Sequence, residues 1–415
     1  GNYWWHLAAF FNVAIRQQVK KFEDENGRVP NDEETAEIRS NTLSTARGTV
    51  QAEVIKEALS QNTLIFNIDT ALKAMGDVAE FYVENDIRNH YMVSISGYHI
   101  DEAGANPITQ AALTLSNGLT YVEMFKARGL DPDAFISRFS WFFCMGLQPA
   151  YQVIGRVCRR IWAIAARDVY GVGERGQKLK YHMQGSGRSL HSQEFTWNDY
   201  RTTLQSLSAL ADNANSLHSN SRDEAFSIPT EETVRDALAI QLILSKETGM
   251  LQNENPLQGS YIAEWLTDNV EEQVLRIFEE IHSRGGVLGA LEVNYQRNRI
   301  QDESIYYEEQ KHSGELPITG VNYFVDEGSA TMSSDDFDVE VTRSDDAERQ
   351  MIIDRNKAFK EAHAVEAEAG LARLKQVARE GGNLFEVMMD IVEHCTVGQV
   401  TRALFETGGK FRRNM

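Results

Sequence analysis

Ser94-Ile95-Ser96-Gly97-Tyr98-His99-Ile100-Asp101-Glu102-Ala103-Gly104-Ala105-Asn106-Pro107 is the stretch on which the fold of this chain turns. Residues 92–100 alternate with period two and predict a strand; the glycine-rich remainder leads to a helical pattern over residues 109–128. A strand that carries a histidine and a carboxylate at its end and runs into a helix is one unit of a parallel sheet. The same unit recurs on both sides. Residues 49–55, 138–143, 178–184 and 216–220 predict strands, each followed by a helix, over residues 69–85, 151–169, 197–211 and 230–249 in turn. Ahead of them, residues 4–22 predict a helix. A polar loop over residues 23–31 ends at Asn31, a cap for a second helix opened by Asp32, Glu33 and Glu34.

Strand–helix units spaced by roughly 40 residues fit a doubly wound sheet or a (β/α)8 TIM barrel. The strand interiors favour the barrel. Thr49, Gln51, Ser94, Ser96, Ser140, His182 and Gln184 sit where barrel cores carry Val, Ile and Leu, which suggests an axis filled by something other than side chains. The alternative is that these positions face outward. Five strands are legible and a closed barrel needs eight, so the expected fold is an N-terminally truncated barrel over residues 1–325. Residues 326–415 read as a C-terminal extension or interface: a loop over 325–334, acidic Asp335, Asp336, Asp338 and Glu340, a charged helix over 345–379 and a helical tail over 384–405.

Composition narrows the function. The chain has 415 residues, 42% of them apolar, so it can bury a substantial core. Its net charge of −20 argues against a nucleic-acid partner. No apolar run is long enough to span a membrane. Cys144, Cys158 and Cys395 are scattered, which fits a reducing, cytoplasmic setting rather than a disulfide framework or zinc knuckle. The chain starts with Gly1, so it reads as truncated or processed at that end. Gly171-Val172-Gly173-Glu174-Arg175-Gly176 fits GxGxxG but follows a helix and precedes a strand, the reverse of a dinucleotide loop. Glu280–Gly285 nearly matches DxHxxG, yet sits at a helix end closed by two glycines. No P-loop occurs.

Three strand ends converge on one chemistry. The first carries His99 and Glu102; the second His182, Gln184 and Gly187; the third His218 and Asn220, with Glu224 soon after. Carboxyl ends of barrel strands are where barrel enzymes place their active sites. A metal site is disfavoured, because no histidine pair stands at i, i+4 and no acidic triad accompanies them. Arg47, Arg175 and Lys180 precede strands, so they belong to the opposite rim.

Taken together, SISGYHIDEAGANP (94–107), RFSWFF (138–143), KYHMQGSGRSLHSQE (180–194), NSLHSNSRDEAF (215–226) and NENPLQGSY (253–261) resemble the substrate-binding barrel of the adenosylcobalamin-dependent acyl-CoA mutases. The resemblance extends to about residue 325 and is nearest to the fused isobutyryl-CoA branch, with Arg188 where the methylmalonyl-CoA branch carries Trp. It implies radical chemistry, with pantetheine threading the barrel axis. It implies that His99 hydrogen-bonds the thioester carbonyl; that Glu102, Gly187, Glu224 and Ala225 lie near the cofactor; and that His182, Gln184, His218 and Asn220 form a polar lid under the corrin. Thr49, Gln51 and Gln61 match the part that reads the acyl end, and Tyr91, Arg138 and Ser140 flank or contact the CoA.

Methylmalonyl enzymes place Arg where Gln61 stands. A neutral amide cannot balance a buried carboxylate, so an uncharged butyryl or isobutyryl group is expected, with methylmalonyl-CoA or another acyl-CoA, or a non-catalytic acyl-CoA-binding scaffold, as alternatives. Gly185 and Ser219 stand where the family usually has Thr. The resemblance further implies a cobalamin-binding domain and a G-protein chaperone carrying GTP and Mg2+, fused upstream or separate, and a homodimer.

Overall fold

A computed structural model describes residues 2–326 and 344–412. The chain opens with helices α1 (Tyr3–Asn26) and α2 (Asp32–Thr45), strand β1 (Arg47–Thr49) and helix α3 (Ile68–Glu84). Strands β2 (Asn89–Tyr91) and β3 (Val93–Ser96) lead to a short helix α4 (Tyr98–Glu102) and to α5 (Pro107–Ala127). Then come β4 (Phe139–Met145), α6 (Ile154–Ile164), β5 (Tyr181–Gly185), α7 (Asn198–Ala211) and β6 (Ser216–His218). Helices α8 (Glu231–Lys246), α9 (Tyr261–His282), α10 (Tyr295–Ser313), α11 (Asp346–Ala362), α12 (Ala364–Glu380), α13 (Leu384–Ile391) and α14 (Val397–Gly408) follow. It is a mostly helical α/β chain. β1 and β2 pair in parallel, and β3-β4-β5-β6 form a second sheet in which β4–β5 and β5–β6 are parallel.

The described residues group into two compact units, residues 2–94, 121–140 and 344–412, and residues 95–120 and 141–326. In the first unit α1 buries Trp4, Leu7, Ala8, Phe11 and Ile15, one face at helical spacing. Phe66 stacks on Trp4 at 5.1 Å and meets Phe405 of α14 at 5.4 Å, and Phe81 of α3 meets Phe385 of α13 at 4.9 Å. The C-terminal helices thus pack with the N-terminal ones. Fully buried Asp77 takes Lys73 at 2.7 Å and Arg128 at 2.6 Å. Asn31 and Glu34 close a capping box at α2.

In the second unit one face of β4 and β5 is covered by helices. Trp141 packs against Trp162 of α6 at 4.7 Å, and Tyr181 Oη donates to the Asp212 carbonyl at 2.6 Å. Trp141, Phe143, Tyr181 and Met183 are therefore buried, whereas Phe142, His182 and Gln184, on the other face, are only half-buried. His182 and Gln184 thus share the face of β5 away from the helix layer.

Several boundaries differ from expectation. The strand expected over 49–55 stops at Thr49; Val54–Lys56 is a helical turn and Glu57–Gln61 a π turn. Buried Val54, Ile55, Ala58 and Leu59 make a helical face that a short alternating pattern concealed. The strand expected over 92–100 ends at Ser96. Gly97, in ordinary right-handed backbone, starts the helix there and lets α5 approach closely, since a β-carbon at 97 would stand 2.5 Å from Thr114 Oγ1. β2, with three residues, was not anticipated. The helix expected over 345–379 breaks at His363 into α11 and α12, and the tail over 384–405 is two helices, α13 and α14. Asp335, Asp336, Asp338 and Glu340 lie outside the described residues.

Candidate functional site

His99 and Glu102 sit one turn past the strand, on α4, rather than on the strand itself. Because α4 follows β3 at once, both side chains still belong to the end of the sheet. His99 Nδ1 lies 2.8 Å from Ser96 Oγ. Either group can donate across this contact; with Ser96 as the donor the imidazole proton stands on Nε2, the form that can donate to a carbonyl.

Glu102 is clamped to the end of β5. Its Oε1 accepts from Gly187 N at 2.9 Å and Ser186 Oγ at 3.0 Å, and lies 3.6 Å from Cys144 Sγ. Glu224 stands on an exposed turn anchored by buried Asp223, which accepts from Thr233 Oγ1 at 2.8 Å. Partial burial, and then the field of Glu102, raise the Glu224 carboxyl. Burial, and then the charges of Glu102 and Glu224, likewise raise the Tyr98 phenol. Glu102, Gly187 and Glu224 therefore act in one electrostatic neighbourhood, with Ala225 exposed on the same turn as Glu224.

His182, Gln184 and His218 lie in adjacent register positions of the sheet. Cys144 pairs with Gln184, Gln184 with His218, and Phe142 with His182. His182 Nδ1 lies 2.7 Å from Ser216 Oγ; burial, and secondarily His218, push its imidazole down to about 4, so it is neutral. Asn220 is buried; its Nδ2 donates to the Gly185 carbonyl at 2.8 Å and its Oδ1 is unpartnered. A β-carbon at Gly185 would stand 2.7 Å from Gln205 Oε1, so the Gly in place of Thr matches the close approach of Gln205. Buried Ser219 meets Ser206 Oγ at 3.1 Å.

A buried network unassigned from the sequence supports α4. Asp101 Oδ2 accepts from Tyr151 Oη at 2.5 Å and Gln110 Nε2 at 2.9 Å, and Gln110 Oε1 accepts from Cys144 N at 2.7 Å. Burial pushes the Asp101 carboxyl up to about 7 and raises the Cys144 thiol strongly. Asp101, Glu102 and Cys144 offer ligand atoms within 4.8 Å of one another, and both carboxylates are engaged by hydrogen bonds from Tyr151, Gln110, Ser186 and Gly187. Asp101 was visible within the quoted motif; Tyr151, 50 positions on, gave no local signal.

The remaining residues fall into two groups. In the second unit Arg175 and Lys180 are exposed ahead of β5, at the end opposite Gly187. In the first unit Arg47 pairs with Asn89 and Thr49 with Tyr91 in the β1–β2 ladder. Arg47, Thr49 and Gln51 are exposed and Tyr91 is half-buried. Gln61 is half-buried at the end of the π turn, before Asn62 at φ 54°. Arg138 is buried, with its carbonyl accepting from Met92 N at 3.1 Å, and Ser140 lies half-buried on β4.

Residues 33–410 match the methylmalonyl-CoA mutase family. Over 99% of its length the chain is 56% identical to the fused isobutyryl-CoA mutase of Geobacillus kaustophilus (strain HTA426), of which it covers 38%. It is 55% identical to the fused isobutyryl-CoA mutase of Cupriavidus metallidurans, again over 99% of the chain and 37% of that protein. It is 32% identical to the 2-hydroxyisobutanoyl-CoA mutase large subunit of Aquincola tertiaricarbonis, over 91% of this chain and 66% of that one. The chain thus spans little more than a third of the length of the fused relatives.

Proposed function

The chain belongs to the methylmalonyl-CoA mutase family, and from that premise we propose that it is the acyl-CoA-binding part of an adenosylcobalamin-dependent mutase interconverting isobutyryl-CoA and n-butyryl-CoA. The observation that carries this reading is the cluster after β3: His99 oriented by Ser96, with Glu102 tied to Ser186 and Gly187 at the end of β5. In this reading the strands form part of a (β/α)8 barrel over residues 1–325, completed by other parts of a longer protein, and residues 326–415 are an extension.

The residues present suit the cofactor. A neutral imidazole, two amides and a buried Asn220 Oδ1 without a partner are what a periphery of carboxamides requires, and bare Gly187 leaves room beside Glu102. Glu102, His182, Gln184, Gly187, His218, Asn220, Glu224 and Ala225 would hold it. When bound, adenosylcobalamin supplies the radical that removes a substrate hydrogen. The chain's residues bind and orient. His99 holds a proton at Nε2 toward the thioester carbonyl and stabilises charge that shifts onto that oxygen as the thioester group migrates. Gln61 meets the acyl end with a neutral amide, beside Thr49 and Gln51. Arg138, Ser140 and Tyr91 contact the CoA, and Arg47, Arg175 and Lys180 supply cations for its phosphates.

The relatives' greater length fits further modules, among them a cobalamin-binding domain and a G-protein chaperone with GTP and Mg2+, in a homodimer. Three buried free cysteines fit a cytoplasmic setting. Among the described residues no helix is long and apolar enough to cross a membrane.

The test is turnover by the full-length protein loaded with adenosylcobalamin, with the acyl-CoA isomers separated chromatographically. Isobutyryl-CoA should be isomerised faster than methylmalonyl-CoA; the reverse order refutes the substrate. Acyl-CoA binding with no substrate-triggered change in the cobalamin spectrum refutes the enzyme and leaves a scaffold.

A further inference from the structure

A cavity of about 560 Å³ in the second unit adjoins the candidate site through Asp101 and Ser186 but is otherwise lined by residues that the proposed reaction does not use. Its volume suits a small organic ligand. Its walls hold two guanidinium groups without a carboxylate partner among the described residues. Arg201 is 8% exposed; its Nη1 donates to Asn198 Oδ1 at 2.8 Å and its Nη2 to the Thr319 carbonyl. Arg188 Nη1 donates to the carbonyls of Asp101 at 2.8 Å and Ala105 at 3.4 Å, and its guanidinium lies 5.0 Å from the Tyr307 ring centroid.

The nearby acids do not neutralise them. Glu303 is occupied by Asn106 N, Thr109 Oγ1 and Arg299. Glu308 pairs with Lys311, and the Asp101 carboxyl, pushed up by burial, is largely protonated below neutrality, with its buried Oδ1 unpartnered. His191 is neutral, held down to about 4 by burial and next by Arg201. The cavity thus carries surplus positive charge inside a chain of net charge −20. A desolvated guanidinium without a counter-charge is costly, and an incoming anion removes that cost while meeting the planar donors. Tyr307 and Trp197 offer ring faces for the rest of the ligand.

We propose that this cavity binds a small organic anion, a phosphate or carboxylate borne on a planar or apolar body, as a ligand separate from the acyl-CoA and the cobalamin. The anionic group sits between Arg188 and Arg201, and the body lies against Tyr307. Since Arg188 also holds the carbonyls at the end of α4, occupancy reaches the helix that carries His99 and Glu102.

The test is calorimetric titration of phenyl phosphate, benzoate and inorganic phosphate into the full-length holoenzyme with saturating acyl-CoA present. Saturable one-site binding of phenyl phosphate is expected. Arg188→Gln and Arg201→Gln should each weaken it roughly 10- to 100-fold, the range for one charge-assisted hydrogen-bonding group. Tyr307→Leu should weaken phenyl phosphate more than inorganic phosphate. No saturable binding, equal binding by the variants, or displacement by acyl-CoA or adenosylcobalamin overturns the proposal. If Arg201→Gln fails to fold, Arg188→Gln and Tyr307→Leu decide it. Binding is read without turnover, so a failure here and a failure of the mutase reading remain distinct.

Discussion

Gly185→Ala tests whether the end of β5 is built around a close approach. A β-carbon there would stand 2.7 Å from Gln205 Oε1 and 3.6 Å from Asn220 Nδ2. Gln205 is buried, and its Nε2 donates to the Ser186 carbonyl at 3.1 Å, so it cannot swing away without losing that bond. Overpacking of this kind costs about 1–3 kcal/mol, and the displaced hydrogen bond adds about 1 kcal/mol. Gly185→Ala should therefore lose about 2–4 kcal/mol of stability. Gln205→Ala alone strands the Ser186 carbonyl and should lose about 1–3 kcal/mol. Together the clash is gone, so the double variant should be more stable than the sum predicts, with a coupling of about 1–3 kcal/mol. Urea unfolding of the four proteins, followed by circular dichroism with the denaturant slope checked for constancy, measures this. A cycle additive to within about 0.5 kcal/mol, or a Gly185→Ala protein as stable as its parent, would refute the reasoning. The stake is functional, because Ser186 and Gly187 follow directly and both donate to Glu102.

Three further outcomes follow from the same geometry. His99→Ala should lower kcat about 100- to 1000-fold with KM for acyl-CoA little changed, as for removal of an oxyanion donor; steady-state kinetics of the holoenzyme check it, and a change in KM alone contradicts the role. Gln61→Arg should shift the kcat/KM ratio toward methylmalonyl-CoA by about tenfold or more, since Arg offers a two-pronged carboxylate partner; an unmoved ratio rejects Gln61 as the selector. The Asp101 carboxyl lies at about 7 in the folded chain, above its unfolded value of about 3.9. Its contribution to stability is thus complete below about pH 4 and lost as pH rises through 7, with a slope approaching −1.4 kcal/mol per pH unit. Asp101→Asn should flatten unfolding free energy over that window; an unchanged slope in urea melts contradicts the buried, protonated acid.

Much of the site was legible because its residues cluster locally. Ser96, His99 and Glu102 lie within one short stretch, as do Ser186 and Gly187, and the strand–helix alternation placed both at strand ends. What was illegible spans distance. Tyr151, Gln110 and Gln205 reach Asp101, Cys144 and Ser186 only after the chain folds, and none sits in a motif. The strand expected over 49–55 failed for another reason: a seven-residue alternation cannot be told from a helical turn, and burial of Val54, Ile55, Ala58 and Leu59 chose the turn.

By itself the sequence determined the parallel strand–helix character, the candidate residues at the strand ends, and the family, because side-chain period and motif order are local properties of the chain. Only tertiary structure decided that His99 and Glu102 ride on a helix rather than a strand, that Asp101 is a buried acid held by Tyr151, and that Arg188 and Arg201 share a cavity without a carboxylate partner among the described residues. Those facts depend on desolvation and on contacts between distant segments, which no local pattern encodes.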